Sequence, residues 1–124
     1  MYSPAVLDHL ENPRNAGELP EPSAVGEANN PVCGDRLLLH LLIEGGRIVE
    51  ARFQAQACPP CLAAGSLLTE IVKDLKVEGA FKLDKSEIEA RLAPLPKNKL
   101  HCAVLAVDCL RAALRDWEVR NSAV

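Results

Sequence analysis

The chain is short of aromatic rings, basic clusters and long apolar runs, and each shortage removes a class of function. Two Phe, one Tyr and one Trp are its only aromatic residues among 124. Lys and Arg total 14 against 17 Asp and Glu, for a formal net charge of −3, and no basic residues cluster. With neither a cationic footprint nor stacking rings, nucleic acid is not an expected partner. No stretch approaches the roughly 18–20 apolar residues of a membrane span, so no membrane association is expected. The N-terminal Met1-Tyr2-Ser3-Pro4-Ala5-Val6 lacks the basic start and apolar core of a secretion signal. A cytoplasmic location is expected, or a mature organellar one. The five cysteines are an odd number without a secretion signal, which disfavours a disulfide framework and favours metal binding or thiol chemistry.

What is present suits an ordinary folded domain: 48% apolar and 25% charged residues. The length fits one domain over residues 1–124, with no repeat, low-complexity segment or linker. Ser3 reads as an N-cap with Pro4 at the first helical position, and Asn12-Pro13 ends that helix. Residues 13–32 are rich in Pro, Gly, Asn and Glu and read as extended, with one short strand. Leu37 to Ile43 and Arg47 to Ala57, joined by Glu44-Gly45-Gly46, predict a β-hairpin. After Pro59-Pro60 the apolar period changes to about 3.6, and Cys61, Ala64, Leu68, Ile71, Val72 and Leu75 predict a helix over 60–76. A shorter helix is expected over Lys85–Leu92. The longest spans Leu100–Arg120, with Leu100, Val104, Val107, Leu110, Leu114 and Trp117 as its buried stripe. The expected fold is α+β: a small antiparallel three-stranded sheet with helices packed on one face.

Three cysteines fall at junctions between these elements. Cys33 lies in Pro31-Val32-Cys33-Gly34-Asp35 before the first long strand. Cys58 ends the second strand and opens a helix, and Cys102 lies in the first turn of the long helix, directly after His101. The hairpin brings the start of its first strand near the end of its second, so Cys33 and Cys58 are expected as neighbours. Cys58 and Cys102 also stand at helix N-termini, where the positive end of the macrodipole favours a thiolate, the form that attacks and binds metal. A free cysteine is more often core than ligand, and Cys109, between Val107 and Leu110, is expected to be core. Cys61 makes a C-x-x-C pattern with Cys58, but it falls on the apolar stripe and is expected to pack. Asp35 and His101 each pair a thiol with a second ligand type. His9 and His40 have no such company and are read as structural or surface residues.

These residues in this order resemble the IscU/NifU-type family of iron–sulfur cluster assembly scaffold proteins. The resemblance runs from Tyr2-Ser3 through Asp8-His9, Glu11-Asn12-Pro13-Arg14-Asn15, Cys33-Gly34-Asp35, Ala51-Arg52-Phe53, Cys58, Ser66 and Thr69-Glu70. It closes with Lys99-Leu100-His101-Cys102. It implies the family's N-terminal fold and a non-enzymatic scaffold or carrier. Such a scaffold receives sulfur from a cysteine desulfurase and iron from an iron donor. It assembles a [2Fe–2S] cluster and passes it to apo-acceptor proteins, often with an Hsp70-type chaperone pair, as a monomer or homodimer. Carried over, Cys33, Cys58 and Cys102 would be the cluster thiolates, with His101 or Asp35 in the fourth position. Zinc would occupy the same residues when no cluster is present. Cys102 is the expected sulfur acceptor.

The chain departs from the family pattern in three places. Cys61 is an extra thiol, open to reading as a fourth sulfur ligand, a resolving thiol for Cys58, or a packed side chain. The chaperone-recognition stretch, usually Leu-Pro-Pro-Val-Lys, is here Leu95-Pro96-Lys97-Asn98-Lys99. The loop after Gly17 lacks some usual residues around Asn29-Asn30. A zinc-bound sulfurtransferase partner of a desulfurase is the alternative function, and a thiol–disulfide oxidoreductase on Cys58 and Cys61 a third. Sulfur-relay relatives usually carry an insertion between the second and third cysteine blocks. Its absence here and the presence of His101 favour the scaffold. The lack of a βαβ pattern disfavours the oxidoreductase.

Overall fold

A computed structural model describes residues 2–122. Helix α1 (Pro4–Glu11) is capped by the Ser3 hydroxyl, which accepts from the Val6 N–H at 3.2 Å and donates to the Leu92 carbonyl at 2.8 Å. Strands β1 (Ala24–Asn30), β2 (Asp35–Glu44) and β3 (Arg47–Gln56) form one antiparallel sheet in the order β1-β2-β3. The extended stretch thus supplies a full seven-residue strand, paired from Ala24↔Leu41 to Asn30↔Asp35. Along β2 the continuous apolar run resolves into alternation: Leu37, Leu39, Leu41 and Ile43 are buried, while Leu38, His40 and Leu42 are half-exposed on the other face. Gly45 and Gly46, both at positive φ, close the β2–β3 turn.

The helices cover one face of the sheet. Helix α2 (Pro59–Val72) lies against β3, and α5 (His101–Ser122) lies against β1 and β2. The contact between α5 and β1 is made possible by Gly26, where a Cβ would collide with the backbone of Cys109 and Ala113. The predicted 60–76 helix ends at Val72, because Asp74 takes a positive φ and its N–H bonds to the Ile48 carbonyl at 2.7 Å. A separate short helix α3 (Val77–Phe81) follows, then α4 (Lys85–Leu92) as expected.

The stripe expected on α5 needs correction. Leu100 precedes the helix and is 41% exposed, Val104 is 37% exposed, and Trp117 is only half-buried. Small residues carry the buried face instead: Cys102, Ala103, Ala106, Cys109 and Ala113, with Leu105, Val107, Leu110 and Leu114. An α5 seated directly on the sheet backbone has no room for large side chains at its closest approach. Among the described residues, no helix is long and apolar enough to cross a membrane.

Candidate functional site

Three chain junctions meet at one end of the sheet. The first is the turn over residues 31–34, shaped by Asn30. The Asn30 side chain accepts from the Val32 N–H at 3.1 Å and the Cys33 N–H at 3.4 Å, and its carbonyl accepts from Gly34 at 2.7 Å. Gly34 takes φ +74, which a side chain would resist, so the turn delivers Asp35 to the start of β2. The second junction is the N-terminus of α2, where Cys58 is the N-cap, with no side-chain capping bond, and Pro59-Pro60 fill the first helical positions. The third is the start of α5, reached through a short 3₁₀ turn over Lys97–Lys99.

Asp35 holds the three together. It is 4% exposed. Its Oδ1 accepts the Cys58 N–H at 3.0 Å, and its Oδ2 lies 3.0 Å from His101 Nε2 and 3.5 Å from the Cys61 sulfur. The Cys58 and Cys102 sulfurs are 3.6 Å apart, and His101 Nε2 is 3.8 Å from both the Cys61 and Cys102 sulfurs. Donor atoms of Cys58, Cys61, His101 and Cys102 all lie within 4.8 Å of one another, as do those of Cys33, Asp35 and His101. His101 belongs to both groups. Sulfur, nitrogen and carboxylate oxygen at such spacing suit zinc or iron.

Every residue singled out from the sequence is therefore at this end of the sheet, but with two unforeseen features. Cys61 is not merely packed: it is fully buried and joined in a disulfide to Cys102, their Cα atoms 4.5 Å apart. Its partner is Cys102 across two helices rather than Cys58 within the C-x-x-C pattern. Cys33 is exposed and groups with Asp35 and His101, whereas Cys58 is half-buried and Cys102 has no exposed surface. Cys109 is core, as expected. Its thiol donates to the Gly26 and Leu37 carbonyls at 3.4 and 3.5 Å, and burial pushes its pKa up to about 12.

A second network, away from the sulfurs, fastens α2 in place. Ser66 Oγ, fully buried, accepts the Arg14 N–H at 2.8 Å and meets His9 Nδ1 at 2.7 Å. Asn15 donates to Thr69 Oγ1 at 3.1 Å, and Thr69 donates to the Ser66 carbonyl at 2.6 Å. Arg14 pairs with Asp8 at 2.7 Å and approaches Glu70 at 3.7 Å. His9 is thus structural, and the Asn12-Pro13-Arg14-Asn15 segment is a strap across α2.

An antiparallel sheet covered on one face by helices, with sulfurs, a carboxylate and an imidazole gathered at one end, defines a small α+β domain whose donor groups could hold a metal ion. The chain matches the family described as "NifU-like N terminal domain" over residues 1–124, and it belongs to that family. It is 38% identical over 124 residues to the iron-sulfur cluster assembly scaffold protein IscU 1 of Archaeoglobus fulgidus, covering 100% of this chain and 81% of that protein. To the iron-sulfur cluster assembly scaffold protein IscU of Azotobacter vinelandii it is 39% identical over 127 residues, covering 99% and 98%. A solved N-terminal NifU-like protein from Brucella abortus matches it with TM-score 0.81 at 17% identity, over 95% of this chain and 94% of that one, a likeness of fold.

Proposed function

We propose that this chain is a scaffold for iron–sulfur cluster assembly. Iron and desulfurase-derived sulfur are built into a [2Fe–2S] cluster on Cys33, Cys58 and Cys102, and the cluster passes to apo-proteins. The observation that carries this reading is a pair of donor groups sharing His101, one with Cys58, Cys61 and Cys102 and the other with Cys33 and Asp35. The chemistry supports it. Four thiolates hold a cluster firmly, whereas a carboxylate or imidazole in one position is a harder, more exchangeable ligand for iron. In this reading Asp35 takes that part, exchanging its hydrogen bond to the Cys58 N–H or its contact with His101 for iron. Cys102 is the sulfur acceptor in this proposal, in the reduced form in which its bond to Cys61 is open. The partners are a cysteine desulfurase, an iron donor and apo-acceptors in the cytoplasm, with the chain monomeric or homodimeric. Docking of an Hsp70-type chaperone is disfavoured by Leu95-Pro96-Lys97-Asn98-Lys99.

A second reading, a zinc-bound sulfur acceptor, is favoured by one observation. The Cys58, Cys61, His101 and Cys102 group offers three sulfurs and one nitrogen, a complete tetrahedral set for zinc once the disulfide is reduced. Anaerobic reconstitution with iron, cysteine and a cysteine desulfurase separates the two. A [2Fe–2S] spectrum that moves to an added apo-ferredoxin is the scaffold's outcome. Tightly held zinc with persulfide uptake and no cluster is the outcome that replaces it.

A further inference from the structure

Cys61 has surroundings unlike those of a packing residue. The core thiol Cys109 reaches only backbone carbonyls. Cys61, by contrast, is fully buried yet faces Asp35 Oδ2 at 3.5 Å and His101 Nε2 at 3.8 Å, and its sulfur lies on that of Cys102. It is the third residue of α2, and Cys102 is the second of α5. Their Cα separation of 4.5 Å lies within the span of about 4.4–6.8 Å that a disulfide bridges without backbone movement. The two helices therefore hold these thiols ready to join.

We propose that Cys61 is a resolving thiol that frees sulfide from a persulfide carried on Cys102. The inference rests on the scaffold reading with Cys102 as sulfur acceptor. The Cys61 thiolate attacks Cys102 Sγ, the inner sulfur of the persulfide. A Cys61–Cys102 bond forms, the bond from Cys102 Sγ to the terminal sulfur breaks, and the terminal sulfur leaves with the electron pair as hydrosulfide. The Cys61 proton goes to Asp35 Oδ2 or His101 Nε2 and from there to the leaving group. One thiol and one persulfide thus give one disulfide and one hydrogen sulfide. Counted from the two thiols and one sulfane sulfur, the cysteines lose the two electrons that reduce that sulfur to sulfide. An external dithiol reductant then reopens the disulfide for the next round. Sulfide is thereby released within the ligand group itself, where iron would be held.

The test is one round of sulfur loading of the reduced, metal-free chain by catalytic desulfurase and one equivalent of cysteine, with no other thiol. Methylene blue reads sulfide, and mass spectrometry after alkylation reads persulfide and disulfide. The wild-type chain is expected to release about one sulfide per chain and to gain a Cys61–Cys102 disulfide in peptide maps. In Cys61→Ser, and in Cys61→Ala as a second variant, Cys102 is expected to retain its extra sulfur, with sulfide release slowed by about tenfold or more. A stable wild-type persulfide, undiminished release from both variants, or a Cys58–Cys102 disulfide in the wild type would overturn the inference while leaving Cys102 as acceptor. Absence of transferred sulfur on Cys102 in wild type and both variants, with no sulfide above that from desulfurase alone, would remove the acceptor reading and the inference with it.

Discussion

Asp35, itself at one junction of the site, reaches the other two: the backbone of Cys58 and the sulfur of Cys61 at α2, and the imidazole of His101 at α5. Removing its carboxylate takes away the oxygen proposed as an exchangeable ligand and the hydrogen bond to the α2 N-cap. Asp35→Ala is expected to slow cluster transfer to an apo-ferredoxin, read as the rate of spectral change; an unchanged rate would remove Asp35 from the release step. Thiol reactivity makes a second residue-scale prediction. In reduced, metal-free protein, iodoacetamide should label exposed Cys33 first and leave Cys109 unmodified until the chain unfolds, because thiolate is scarce at a pKa of about 12. His9 supplies a third. Burial, with Arg14 nearby, depresses its imidazole below the ordinary 6.5, partly offset by Glu70 and Asp8. The folded chain therefore holds His9 neutral while the unfolded chain takes up a proton as pH falls through 6.5. Stability is present above that pH and is lost below it, down to the depressed folded value. His9→Gln should flatten the fall in denaturation midpoint between about pH 7 and pH 5.

At the scale of elements, the site depends on how closely α5 and α2 approach the sheet. Gly26 lets α5 sit on β1, and Gly65 lets α2 meet the Phe53 ring, where an added Cβ would come within 2.9 Å of a ring carbon. The two clashes differ in kind: a ring edge can turn aside, but the backbone of Cys109 and Ala113 cannot. Gly26→Ala is expected to destabilise the fold by about 3 kcal/mol, at the upper end of overpacking costs, and to lower the midpoint in urea. Gly65→Ala should cost less. The same approach explains the small residues on α5 and the outward turn of Val104. The strap from Asn12 to Asn15 belongs to this scale too. It fixes α2, and thereby Cys58 and Cys61, through Ser66 and Thr69 rather than through any contact with the sulfurs.

For the whole molecule, the donors come from distant parts of the chain, so a metal bound across them ties β2, α2 and α5 together. Such a ligand binds the folded state and stabilises it by mass action. With the disulfide reduced, zinc at about 100 times its dissociation constant should add about 2.7 kcal/mol to unfolding free energy, seen as a higher Tm that a chelator reverses. No shift in Tm on adding zinc to the reduced chain would count against a metal-binding site.

The sequence by itself determined the element order, the α+β class and the positions of chemistry. Those signals are local: period two changing to 3.6 at Pro59-Pro60, Gly pairs at turns, and thiols at element junctions. It also carried the likeness to the family to which the chain belongs. Local pattern placed one short strand within residues 13–32 but could not bound β1, whose Gly26, Asn29 and Asn30 are poor strand formers recruited by pairing with β2. Nor could it tell that Leu100 and Val104 face outward, because the packing of α5 on the sheet, not helical period alone, selects the buried side. The burial of Asp35 and the meeting of Cys61 with Cys102 were decided only by tertiary structure. Those contacts join residues 23 to 66 positions apart, and they form only when α2 and α5 dock at the same end of the sheet.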